Sequence, residues 1–105
     1  MGLHIFFHKI EFMVTLIATI TAKTDTIEAL KVELLNLVKN TIQEPGNIQY
    51  VLHQETENPQ IFRFYEQFKD QAAFEYHGNR PYIKAMSSNA HLLEKPSVLT
   101  FLDLV

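Results

Sequence analysis

No cysteine occurs anywhere in the 105-residue chain. That removes disulfides, zinc–thiolate sites and thiol nucleophiles together, and it leaves cysteine usage silent about the compartment. Glycine is scarce, and Gly46 and Gly78 stand in turn sequences with no phosphate-cradling pattern around them. No apolar run is long and uninterrupted enough to cross a bilayer as a helix. Positive charge is thinly spread: nine basic residues from Lys9 to Lys95 are scattered through a chain of net charge −3. Nothing among them could track a phosphate backbone, so nucleic acid is a poor partner. Metal-ligand spacing is missing too, since His4, His8, His53 and His91 lie in no pattern with a carboxylate, and no metal site is expected.

What is present is ordinary globular material. With 47% hydrophobic and 20% charged residues, the chain has the makings of one domain with one core. Met1 to Phe12 is apolar but carries His4, His8, Lys9 and Glu11. This is not the order of charge, unbroken apolar stretch and small cleavage residues that a secretory signal needs, so a cytoplasmic location is expected. Met13 immediately precedes the first strand pattern. Residues 1–12 therefore read as an N-terminal extension, with an added edge strand as the alternative, and residues 13–105 read as the domain.

Val14 to Ala22 alternates with a period of two and is rich in β-branched residues, the pattern of a strand. Ile27, Leu30, Leu34, Leu37, Val38 and Ile42 then recur at helical spacing, with Asp25 and Glu28 placed as a capping box. Glu44-Pro45-Gly46 is expected to end that helix. Ile48 to Thr56 is a second strand, with Ile48, Tyr50 and Leu52 on one face, and Ile61 to Phe68 is a third. The turn residues Glu57-Asn58-Pro59-Gln60 join the two as an antiparallel hairpin. Asp70 caps a second helix carrying Ala73, Phe74 and His77. Pro81 opens a further helical segment through Tyr82, Ile83 and Met86 toward Leu93, and Val98 to Val105 is the last strand.

The order β-α-β-β-α-β predicts an α+β, ferredoxin-like domain: a four-stranded antiparallel sheet with the helices on one face. The helix-free face keeps apolar residues, read as Ile61, Tyr65, Val51 and Leu99 or their alternates. A small domain seldom exposes such a face, so a second copy is expected to cover it, giving a dimeric α+β barrel.

Within that order one stretch carries chemistry. Phe62, Phe64, Glu66 and Phe68 share a sheet face by their period of two, and a carboxylate in a row of phenylalanines is costly unless partnered. His77 follows on the next helix. If that helix lies over the same face, the imidazole and the carboxylate meet in an aromatic pocket. Two readings stand side by side: a buried histidine tied to Glu66 as a structural link, or a base whose tautomer and basicity Glu66 sets. Tyr82, just past the helix break, is the tyrosine best placed to donate to a substrate oxygen; Tyr50, Tyr65 and Tyr76 serve equally as core or interface. Phe62, Phe64, Phe68 and Phe74, with Tyr50, are core residues that double as pocket wall, while Arg63 and Arg80 read as solvated surface.

Four stretches together resemble a known family. These are Val14-Thr15-Leu16-Ile17-Ala18; Glu44-Pro45-Gly46-Asn47-Ile48-Gln49-Tyr50; Phe64 through Phe74; and His77 with Arg80-Pro81-Tyr82-Ile83-Lys84. The chain is similar to the antibiotic biosynthesis monooxygenase family, in its quinol-monooxygenase-like and autoinducer-2-processing branch. The resemblance implies a homodimeric barrel and a cofactor-free monooxygenase acting on quinol-like or polyphenolic aromatics. On this reading the substrate's own electron-rich ring reduces dioxygen, while Glu66 and His77 carry over as site residues. Where many members have a second histidine after the proline, this chain has Tyr82. Where haem-degrading relatives have a strand tryptophan it has Phe68, and the chain has no tryptophan. Two alternatives share the same pocket: an isomerase of a small keto-sugar phosphate, needing only a proton shuttle, and a non-catalytic barrel that binds a small molecule.

Overall fold

A computed structural model describes residues 13–105; the expected extension at residues 1–12 lies outside the described residues. The order is β1 (Val14–Thr21), α1 (Ile27–Thr41), β2 (Asn47–Gln54), β3 (Ile61–Phe68), α2 (Gln71–Gly78), α3 (Pro81–Lys84), a 3₁₀ segment (Ala85–Leu92) and β4 (Val98–Leu102). The strands form one sheet in the order β2-β3-β1-β4, with every neighbouring pair antiparallel. This is the ferredoxin-like α+β arrangement that the chain order predicts.

The β3 alternation is realised residue by residue. Phe62, Phe64, Glu66 and Phe68 are buried, while Ile61, Arg63, Tyr65 and Gln67 between them are only half-buried. On the helix-covered face, rows run across the sheet: Tyr50–Glu66–Leu16–Phe101 and Leu52–Phe64–Ala18–Leu99. Helix α1 lays Leu30, Leu34 and Leu37 onto this face, and with Leu16 and the buried phenylalanines they form the core. At about 25 cal/mol per Å² of apolar surface removed from water, each such side chain stabilises the fold by roughly 1.5–3 kcal/mol.

Several local expectations are corrected. The first residues of α1 use no capping box: Thr26 is the N-cap residue, and its hydroxyl donates to the Leu92 carbonyl oxygen at 2.7 Å, tying the helix start to the 3₁₀ segment. Glu28 instead reaches Lys31 at 3.6 Å on the surface. Ile42 lies just past the last turn of α1 and faces out. In β2 the register slips between Asn47 and Gln49, so Ile48 has no cross-strand partner and is exposed, away from the face that holds Tyr50 and Leu52. Such a bulge re-aims the chain at a strand entry.

Leu99 also changes sides. Its pairing with Ala18 puts it on the helix-covered face, so the open face is carried by Ile17, Val51 and Tyr65 with Val98 and Leu102 of β4. Every residue of β4 is exposed. It is an edge strand with apolar side chains on both of its faces; Phe74 of α2 meets the Phe101 ring edge-on at 5.6 Å, yet Leu99 and Phe101 remain 52% and 57% exposed.

Candidate active site

Three separate pieces of chain bring the titratable groups together. The first is β3, whose period of two turns Glu66 to the helix side, opposite Tyr50 on one neighbour and Leu16 on the other. The second is α2. The Asp70 carboxylate accepts the Ala73 backbone N–H at 2.8 Å, fixing the helix start as predicted, and Ala73 and His77, one turn apart, are its two buried residues. The third is the α1–β2 loop, where Gly46 packs directly on α2: a Cβ placed on it would sit 2.3 Å from the Ala73 Cβ. The Gly46 carbonyl accepts the Lys69 N–H at 2.9 Å. Close approach, not an unusual backbone angle, is what Gly46 supplies, since no glycine among the described residues has positive φ. That approach delivers Glu44 to the imidazole.

The resulting geometry differs from the predicted pair. His77 Nδ1 lies 2.9 Å from Glu44 Oε2, a hydrogen bond between two side chains that are each over 90% buried. His77 Nε2 lies 3.9 Å from Glu66 Oε1, beyond hydrogen-bond reach. So the carboxyl that holds His77 is Glu44, not Glu66, because the Gly46–Ala73 contact brings the loop closer to the ring than the sheet comes. Tyr82, set by α3 after Pro81, donates its hydroxyl to the same Glu44 Oε2 at 2.5 Å. Glu44 Oε1 has no hydrogen-bond partner among the described residues.

Beside these groups is a partly open cavity of about 220 Å³. Its polar end is Glu66 and His77; its walls include Tyr50, Phe64, Phe74 and Met86, with Leu16, Ala18 and Leu99 toward the sheet. The small Ala18, between Phe64 and Leu99 in its cross-sheet row, leaves room there. Tyr50 stacks on Phe64 with ring centroids 4.4 Å apart and lies 5.3 Å from the His77 ring.

Of the aromatic residues expected to form the wall, Tyr50, Phe64 and Phe74 line the cavity. Phe62 and Phe68 do not: both are sealed in the core, Phe68 packing under the imidazole at 4.9 Å between centroids. Tyr82 is also off the cavity wall, behind His77, with its hydroxyl committed to Glu44. Sequence reasoning missed Glu44, which it treated as a helix terminator, although the residue opens one of the stretches that carried the family resemblance. It also missed Met86, Ser97 and Leu99 as lining residues.

Burial governs the electrostatics. The Glu66 carboxyl is pushed up from 4.5 to about 8, first by desolvation and then by the neighbouring Glu44 charge. At neutral pH it is a carboxylic acid with a proton to donate. The Tyr50 phenol is raised well above its ordinary value by burial, then by Glu66. The Tyr82 phenol is raised as well, by desolvation and by its hydrogen bond to Glu44. Among the described residues no group of three His, Asp or Glu is arranged to hold a metal ion.

The site is thus an apolar, aromatic-walled pocket between a sheet and its covering helices, with a protonated carboxyl and an imidazole facing each other at one end. This is a ferredoxin-like α+β domain with a cavity whose apolar lining and few polar groups are those of small-molecule sites. The chain belongs to the antibiotic biosynthesis monooxygenase family, whose model matches residues 13–88. Among solved structures it is similar to PA3566 from Pseudomonas aeruginosa, at 35% identity over 91% of this chain and 97% of that one, with a TM-score of 0.84. SO0527 from Shewanella oneidensis is 26% identical over 88% of this chain and 92% of its own, with a TM-score of 0.80. A solved antibiotic biosynthesis monooxygenase shares the fold at 24% identity, covering 88% of this chain and 98% of that one, with a TM-score of 0.82. A comparison with curated proteins finds no match.

Proposed function

We propose that the protein is a cofactor-free monooxygenase of small, uncharged, quinol-like aromatics. The observation that carries this reading is the facing of His77 Nε2 and Glu66 Oε1, 3.9 Å apart, at the polar end of an otherwise apolar cavity. With Nδ1 bonded to Glu44, the Nε2 lone pair is available to the pocket. A phenol oxygen placed between the two groups gives its proton to Nε2 and becomes a phenolate, which raises the ring's reducing power. The ring passes electrons to dioxygen and forms a carbon–oxygen bond, giving a ring peroxide that takes back the proton held on His77 Nε2 and becomes a hydroperoxide. Nε2 then removes the proton on that carbon, the C–H electron pair becomes the carbonyl π bond and the O–O bond breaks, leaving one oxygen as a quinone carbonyl. The other leaves as hydroxide, takes the Glu66 proton and departs as water, and the proton on Nε2 returns to Glu66. The substrate loses two hydrogens and gains one oxygen atom, and dioxygen supplies both oxygens. The protein's part is a base, an acid and a dry, shaped cavity.

Size and charge narrow the substrate. An apolar cavity of about 150 Å³ takes one benzene ring, so about 220 Å³ suits one ring or two fused rings. Among the described residues no lysine or arginine lines the cavity to pair with an anion, and the Glu44 carboxylate lies just behind His77. A phosphate dianion would be repelled there, which weighs against the keto-sugar-phosphate isomerase.

A homodimer belongs to the same reading. The exposed apolar residues of β4 and the open sheet face are what a second copy would cover, and Leu99 on that strand is a wall residue.

Oxygen uptake with a panel of one- and two-ring quinols, for wild type and His77→Ala, tests the proposal. Turnover that falls at least ~100-fold in the variant is expected of a lost general base. Turnover unchanged in His77→Ala removes the histidine from the mechanism. Saturable binding with no turnover favours a binding-only barrel. Solvent-deuterium incorporation into a keto-sugar phosphate without oxygen uptake favours the isomerase.

A further inference from the structure

Glu44 does not line the cavity, yet it is a buried carboxyl shared by two side chains of the site. It is 7% exposed, and its Oε2 lies 2.9 Å from His77 Nδ1 and accepts from the Tyr82 hydroxyl. Burying a carboxyl is costly, and burying one with an unpaired oxygen costs more. A mere structural link between loop and helix would not require that. A glutamine of the same shape would offer the same acceptor to His77 and Tyr82, and would put a donor where Oε1 finds no partner. What only a carboxylate supplies is negative charge beside the ring at the moment the ring becomes positive.

We infer that Glu44 is a positioning residue for the base: it holds the proton on His77 Nδ1, keeps Nε2 turned to the pocket, and stabilises the imidazolium formed when Nε2 takes the substrate's proton. In that step the substrate O–H bond breaks, its electron pair stays on oxygen, and the proton bonds to Nε2. The positive charge then lies 2.9 Å from Glu44 Oε2. The Tyr82 hydroxyl keeps Oε2 aimed at the ring by occupying its other side. The inference rests on the reading of His77 as base, but it concerns a residue that touches no substrate.

Glu44→Gln tests it, since it preserves the acceptor and removes the charge. With a quinol that wild type oxidises, kcat is expected to fall about 10- to 100-fold, part of what a general base contributes, with KM and melting temperature within error of wild type. Long-range ¹H–¹⁵N spectra of the wild-type protein, with His77→Asn to assign the resonances, are expected to show His77 protonated at Nδ1. An unchanged kcat, or a raised KM with kcat held, overturns the inference, and so does an Nε2–H tautomer in wild type. If His77→Ala retains full activity, the base reading itself has failed. If His77→Ala is inactive while Glu44→Gln is fully active, only the role given to Glu44 has failed. The tautomer is readable without any substrate, so an Nε2–H result overturns the inference independently of the kinetics.

Discussion

Replacing Glu66 with glutamine should remove a pH dependence of stability whose direction is opposite to that of most carboxylates. The Glu66 group titrates near 8 in the folded chain against 4.5 ordinarily, because burial and the Glu44 charge both penalise its ionised form. Its folded pKa is raised, so between these two values the native state holds a proton that the unfolded chain has released. Stability is then fully present below about pH 4.5, declines as pH rises, and levels off above about 8. The slope in that window is about 1.4 kcal/mol per pH unit, and the whole span is on the order of 5 kcal/mol. Glu44, His77 and Tyr50 face the same space, so wild type alone would report a mixture. The difference between wild type and Glu66→Gln isolates the one group. Urea unfolding of both proteins from pH 5 to pH 9, at one fixed protein concentration because association also shifts apparent stability, gives that difference. Glutamine should gain on wild type steadily toward pH 8. Parallel curves across the range, or a wild type that gains on the variant as pH rises, would refute the claim that Glu66 is held as an acid.

Two further outcomes follow from the packing and from the exposed strand. Gly46→Ala should lower stability by about 1–3 kcal/mol in chemical denaturation, since the new methyl meets the Ala73 Cβ at 2.3 Å and neither atom belongs to a flexible side chain. It should also depress activity, because the same contact sets the distance from Glu44 to His77. Sedimentation at micromolar concentration should give a dimer, and Leu102→Asp, on the open face of β4, should shift it toward monomer; a wild-type monomer would sink the barrel model.

How far the sequence could be read depended on whether the governing interactions were local. The period of two in Phe62–Phe68 and the three- and four-residue spacing in α1 are imposed by backbone geometry, so they located the elements and, through their order, the sheet. The faces of β3 followed from the same rule. The errors arise where a non-local contact intervened. The bulge at Ile48 breaks the alternation of β2, and the pairing of Leu99 with Ala18 fixes which side of β4 faces the helices. Likewise, Thr26 rather than Asp25 stands at the N-cap of α1, and its hydroxyl caps nothing but donates at 2.7 Å to the Leu92 carbonyl, brought there by the far end of the chain. Glu66 and His77 were legible as a candidate pair because each breaks an apolar pattern. Glu44 broke none. It sits in a turn, where a charged residue is the expected occupant, and only the close approach of Gly46 to Ala73 turns that turn inward.

That same approach explains why the site can hold so many ionisable groups at once. Glu44, Glu66 and His77 are each less than a tenth exposed, and the two carboxyls lie 2.9 and 3.9 Å from the imidazole. Each would weaken the fold if left alone, and they are tolerated through a division of proton positions. Glu66 keeps its own proton, Tyr82 donates to one oxygen of Glu44, and the same oxygen lies 2.9 Å from His77 Nδ1, where the proposed tautomer puts a second donor. Among the described residues, His77 Nε2 and the Glu66 carboxyl make no hydrogen bond and line the cavity, while Glu44 Oε1 is buried without a partner behind it. The fully buried Phe62, Phe64 and Phe68 on the same strand, with Leu16, Leu30 and Leu34, supply the apolar burial that offsets this cost. An acid and a base facing each other 3.9 Å apart without a hydrogen bond leave room for a substrate oxygen between them, and that room is what the proposed proton transfer uses.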